Sequence, residues 1–215
     1  MPFTTEEFQD ACRQLDNPDV SEFEFFVEYM DVKIYRKYNE ESGLYEYITF
    51  GTIDVKPEIC HQVYIDLDYR KKWDSYVKAL YEVTEGDRKG IYWNCNFPFP
   101  MSNRDYIFER ESQEFDLDGR HVFVTLGRSA EFSSVPEKSG VIRVDDFKQS
   151  LAITANGDTG SKAFMHYYDN PKGMIPTWLI NWAAKTGVPG FLQNMTDACK
   201  GYPEYLQKKK QKEGR

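Results

Sequence analysis

The chain has 215 residues, of which 40% are hydrophobic and 29% charged, a balance that suits one globular domain and excludes a disordered chain. Its net charge of −8 argues against a nucleic-acid partner, because such binders need a basic footprint to displace counterions. No run reaches the roughly 18 consecutive apolar residues of a membrane-spanning helix, while 15 Tyr, 15 Phe and 4 Trp point to a β-rich core or a ring-lined ligand cavity.

From Thr4 to Leu15 the pattern is helical. Thr4 or Thr5 can cap it, acids fill the first turn, and Phe8, Ala11, Cys12 and Leu15 share a face. Met1 to Asp10 is polar with no apolar h-region, so a cytoplasmic protein is expected. Cys12, Cys60, Cys95 and Cys199 form no CxxC pair and are expected as reduced thiols. The sequon Asn194-Met195-Thr196 then carries no weight.

From Glu22 to Val55 the pattern changes to strands, alternating at Lys33–Arg36 and Leu44–Ile48 with Glu40 to Gly43 as the turn between them. Pro57 opens a helical stretch to about Tyr76, broken near Asp66 to Asp68. Further strands are expected at Ala79–Val83, Ile91–Phe97, Tyr106–Phe115, His121–Leu126, Val141–Ile153 and Lys162–Tyr168. Glu85-Gly86-Asp87, Asp118-Gly119 and Asn156-Gly157-Asp158 supply hairpin turns. Ile175 to Tyr205 reads as one long helix with Pro176 near its first turn and a kink or break at Pro189. One antiparallel sheet between terminal helices is the α+β class, with residues 1–206 as a single domain and 207–215 as a basic, flexible tail.

Catalytic signatures are missing, so no enzyme is expected. His61, His121 and His166 lie in unrelated segments without metal-site spacing. No GxSxG elbow or phosphate loop occurs; Gly157-Asp158-Thr159-Gly160-Ser161-Lys162 has the wrong spacing and sits at a hairpin turn.

Three stretches are distinctive: Asp66-Leu67-Asp68-Tyr69-Arg70-Lys71-Lys72-Trp73-Asp74, the run from Tyr92 to Tyr106 around Pro98-Phe99-Pro100-Met101-Ser102-Asn103-Arg104-Asp105-Tyr106, and Trp178-Leu179-Ile180-Asn181-Trp182-Ala183-Ala184-Lys185. With Ser139-Gly140-Val141-Ile142-Arg143-Val144, and in this order from about Phe8 to Tyr202, they closely resemble the START lipid-transfer family. The resemblance implies a helix-grip fold: a deeply bent antiparallel sheet of nine strands, more than alternation reveals, wrapped on the long C-terminal helix around one lipid. It implies phosphatidylcholine as cargo, no cofactor and no metal.

Such a cavity has a defined physical task. Acyl chains need apolar walls, at roughly 0.8 kcal/mol per CH₂, but a bilayer offers the same. Preference therefore comes from the headgroup: a buried phosphate needs a cation, and a choline, which has no N–H, needs ring faces at roughly 0.5–2 kcal/mol each. Through the resemblance Arg70 is matched to a phosphate-binding arginine oriented by Asp74, with Tyr64 and Gln149 as polar partners. Trp93, Tyr106 and Phe147 are matched to a choline cage, with Cys95 in the cavity wall. Period two agrees in part, since Phe147 and Gln149 share a strand face, as do Trp93 and Cys95. The family pattern has Tyr at position 147 and Val at position 95, so Phe147 keeps the ring and loses the hydroxyl, which relaxes choline selectivity.

Entry and exit of lipid call for a lid. The C-terminal helix is the candidate, with Gly187, Pro189 and Gly190 as the joint and Trp178, Trp182, Phe191 and Met195 as lid or membrane contacts. Lys208–Lys212 adds a basic cluster for a transient membrane surface. The expected molecule is a monomeric carrier. The alternative is a phosphatidylcholine/phosphatidylethanolamine sensor that controls a partner such as a thioesterase.

Overall fold

The computed structural model describes residues 3–40, 44–173 and 175–213. Helix α1 spans Thr5–Asp16 and starts with a reciprocal capping box. Thr4 Oγ1 accepts the Glu7 N–H at 3.3 Å, and the Glu7 carboxylate accepts the Thr4 N–H at 2.7 Å. Its buried stripe is the predicted one, Phe8, Ala11, Cys12 and Leu15.

Strands β1 (Glu24–Tyr29), β2 (Val32–Asn39) and β3 (Leu44–Ile53) form a meander. β1 lies within the strand pattern expected from Glu22, and its turn uses Met30 and Asp31 at positive φ instead of glycine. The turn expected over Glu40 to Gly43 lies mostly outside the described residues. Close approach explains Gly51: a Cβ there would sit 2.2 Å from the Asp31 carbonyl oxygen.

Helices α2 (Pro57–Ile65) and α3 (Leu67–Trp73) replace the single interrupted stretch. Asp66 ends one and caps the other, accepting the Tyr69 N–H at 2.8 Å, and Asp74 terminates α3 short of Tyr76. Strands β4 (Val77–Glu85), β5 (Arg88–Cys95), β6 (Asn103–Leu117) and β7 (Arg120–Ser129) follow. Gly86, Gly119 and Gly157 adopt positive φ in the three predicted turns.

The expected single strand over 141–153 divides into β8 (Val141–Val144) and β9 (Phe147–Asn156). β8 runs parallel to β6, and the chain turns at Asp145-Asp146 before β9 joins β7 and β10 (Gly160–Asp169). The bidentate Arg143–Asp105 pair, 2.7 and 3.1 Å, holds β8 on β6. Nine strands make one path, β1-β2-β3-β10-β9-β7-β6-β5-β4, with β8 beside it.

The long C-terminal helix is also divided. α4 (Thr177–Trp182) leads into a π-helical turn (Ala183–Gly187), then α5 (Val188–Glu213). Pro189 has no N–H to give, and the wide π-helical turn lies directly before it. Pro203 lies inside α5. Lys208–Lys212, expected as a tail, continues α5. No helix among the described residues is long and apolar enough to cross a membrane.

The middle of the sheet is buried on both faces. Val122, Val124, Leu126 and Ala152 meet α1, while Phe123, Leu151 and Ile153 meet Cys60 and Tyr64 of α2. α5 is anchored at its middle on α2 and α3 through Val63, Tyr69, Ala198, Cys199 and Tyr202. Tyr69 OH donates to the Ala198 carbonyl at 2.9 Å and Tyr202 OH to Asp66 at 3.0 Å.

Candidate functional site

A cavity of about 450 Å³ lies between the sheet and α4–α5. Val32 and Ile34 of β2 line it, and so does Cys95 of β5, near the far end of the strand order. One cavity reached from both ends of the sheet requires the sheet to bend around it. The remaining wall is apolar, from Leu151 and Ile153 to Leu179, Trp182, Phe191 and Met195. Trp182 meets Tyr76 edge-on at 5.9 Å, and Gly187 leaves room for its ring, since a Cβ there would come within 2.9 Å of it.

Three of the four expected lid residues, Trp182, Phe191 and Met195, thus face the cavity. Trp178 instead is 43% exposed. Trp182 belongs to the wall and does not sit at an outer boundary, because α4 presents its other side to solvent.

The polar candidates gather at one end. On α3, Arg70 Nε donates to Asp74 Oδ2 at 3.0 Å, and Asp74 is buried. No acceptor among the described residues takes the other Arg70 nitrogens. On α2, Tyr64 OH donates to Gln149 Oε1 at 2.6 Å, and the Gln149 amide rests on the Met165 sulfur, a weak acceptor. Burial pushes the Tyr64 hydroxyl above the usual tyrosine range, so it stays a donor.

Register builds the ring cluster. β5 pairs with β6 so that Trp93 faces Tyr106, and the rings stack at 4.8 Å and 25°. Phe147 meets Tyr106 at 5.8 Å, T-shaped. Arg70 lies 5.1 Å over the Trp93 ring, which joins the cationic and aromatic groups into one unit. The Trp93 indole N–H is buried without an acceptor among the described residues.

Tyr64 and Cys95 line the cavity directly. Arg70, Asp74, Trp93, Tyr106, Phe147 and Gln149 adjoin that lining through Tyr64, Cys95 and Tyr167.

Sequence reading missed three groups here. Arg110, on the same face of β6 as Tyr106 and Phe108, donates to the Ile65 carbonyl at the end of α2 at 2.9 Å. Tyr167 packs on Phe147 at 5.6 Å. Asp169 accepts from Tyr106 OH at 2.6 Å and Tyr167 OH at 3.1 Å. Spacing offered a signal for each, since Tyr106 and Arg110, and Tyr167 and Asp169, are separated by even steps along a strand.

Comparisons with known proteins agree with this geometry. A family model described as the START domain matches residues 21–205. The chain is 48% identical over 203 residues to the phosphatidylcholine transfer protein of Rattus norvegicus, and 49% to that of Bos taurus. Each alignment covers 93% of this chain and 95% of the relative. In three dimensions the chain is similar to the crystal structure of human STARD10, with a TM-score of 0.78 and 22% identity, covering 97% of this chain and 84% of that one, a likeness of fold.

Proposed function

The chain belongs to the START domain family, and from that premise we propose that it carries one phosphatidylcholine in the cavity under α4 and α5 and moves it between membranes without covalent chemistry. The relatives named phosphatidylcholine transfer protein support the cargo. One structural observation carries the reading: an apolar cavity adjoins, at a single end, a guanidinium with free donors and a stacked ring cluster. Apolar walls take acyl chains, Arg70 with Tyr64 and Gln149 takes the phosphate, and Trp93, Tyr106 and Phe147 take the ammonium. An ester or phosphate oxygen near Trp93 would also satisfy its unpartnered indole N–H. Native mass spectrometry of the purified monomer tests this: intact phospholipid at one per chain is expected, and fatty acid or lysolipid in its place would overturn it.

Trp93 holds a cation and a phenol against its ring. Trp93→Ala is therefore expected to weaken uptake of all phospholipids roughly tenfold or more. A loss confined to choline lipids in vesicle extraction would show that Trp93 acts on the ammonium alone.

The broader phosphatidylcholine/phosphatidylethanolamine reading rests on Phe147, whose ring lacks a hydroxyl. Membrane contact is proposed where Phe97 and Pro98 of the β5–β6 loop and Leu179 of α4 line the cavity. Beside them Phe99 is 95% exposed and Trp178 43% exposed. The double change Phe99→Asp/Trp178→Asp is expected to slow transfer between vesicles roughly tenfold while preloaded lipid stays bound. Unchanged transfer would remove this contact.

A further inference from the structure

We propose that Asp169 is the anionic back of the ring cage and sets the preference for a headgroup bearing a permanent ammonium; this rests on the phospholipid reading above. β10 pairs with β9 so that Asp169 stands directly opposite Phe147 and Tyr167 opposite Gln149. Two phenols donate to one carboxylate oxygen, Tyr106 at 2.6 Å and Tyr167 at 3.1 Å. These are rings of the cluster itself, since Tyr106 stacks on Trp93 and Tyr167 packs on Phe147. The carboxylate therefore orients the side chains that would enclose a cation.

Orientation alone does not account for a charge at this position. An asparagine oxygen would accept both phenols, whereas a half-buried carboxylate held by hydroxyl donors still carries a desolvation cost. No ion pair involves Asp169 among the described residues. The nearby Arg104 commits Nε to the Pro171 carbonyl, with Nη1 and Nη2 on those of Ser102 and Lys172. Burial pushes the Asp169 carboxyl above its usual range, while the two phenols and the nearby Arg104 guanidinium act against that rise.

A trimethylammonium group offers no N–H, so it cannot form a hydrogen-bonded ion pair and is best served by an anion held behind ring faces. Phenols that donate to a carboxylate are also more electron-rich, which strengthens their hold on a cation. Phe147, without a hydroxyl, adds only its ring, leaving the negative field to Tyr106, Tyr167 and Asp169. Headgroups with no cation gain nothing from that field.

The test is extraction from vesicles of equal phosphatidylcholine and phosphatidylglycerol, with bound lipid identified by native mass spectrometry. The unaltered protein is expected to prefer phosphatidylcholine. Asp169→Asn is expected to cut that ratio about tenfold while total phospholipid uptake is retained, and Tyr167→Phe about threefold. A merely structural role would lower loading of both lipids and leave their ratio alone. A loaded Asp169→Asn protein with an unchanged ratio overturns the proposal, as does an unchanged ratio in Tyr167→Phe should Asp169→Asn not fold. An unaltered protein that extracts neither lipid refutes the carrier reading, and this one with it.

Discussion

Arg70→Ala is expected to leave the protein nearly empty, with uptake of every phospholipid class reduced about a hundredfold in vesicle extraction. Each charged hydrogen bond to a phosphate contributes about 1.5–3 kcal/mol, and Arg70 has more than one nitrogen free to donate. The same change strands Asp74, whose side chain is 1% exposed and already accepts the Tyr76 N–H. Breaking a buried pair on one side costs about 3–5 kcal/mol. Arg70 keeps 16% side-chain exposure, which lowers this to about 2–3 kcal/mol and a melting temperature roughly 5–10 °C down. Stability and binding can be separated. Arg70→Ala/Asp74→Ala removes both charges and is expected to regain most of the lost stability, yet still carry no phospholipid. Normal extraction by Arg70→Ala would end the phosphate assignment.

A second large effect is expected at a residue outside the cavity lining. Arg104 is 1% exposed, lies 4.5 Å over the Phe97 ring, and donates to the carbonyls of Ser102, Pro171 and Lys172. It ties the β5–β6 loop to the segment that leads from β10 into α4, so one side chain joins both sides of the cavity mouth. Arg104→Met fits a similar volume but leaves three part-buried carbonyl oxygens without their donor, a loss of about 3–5 kcal/mol. The melting temperature should fall roughly 10 °C, and amide exchange should quicken from Pro171 through the π-helical turn. A melting temperature within about 2 °C of the unaltered protein would show that the clamp contributes little.

The contrast between these residues shows what can be read along a chain. Arg70 and Asp74 are four apart on a helix, and their pairing follows from helical spacing. Arg104 is bonded to carbonyls more than sixty positions away, and backbone acceptors carry no side-chain signature. The same distinction separates the hairpin turns, legible from their glycines, from the divided 141–156 segment, where parallel pairing with β6 interrupts what reads along the chain as one strand. Trp178 and Trp182 belong to one helical run, yet one meets solvent and the other a cavity.

Local chemistry was enough to determine the first helix and its cap, most strand positions and the α+β class, and the family came from the resemblance of longer runs. It also marked the residue types that a zwitterionic headgroup would need. Only the folded chain decided which of them meet: the stacking of Trp93 on Tyr106, the seat of Asp169 opposite Phe147, and the clamp at Arg104. These depend on strand register and on contacts between distant segments. Propensity and periodicity act within a turn or a strand, whereas register is settled by the packing of the whole sheet against its helices.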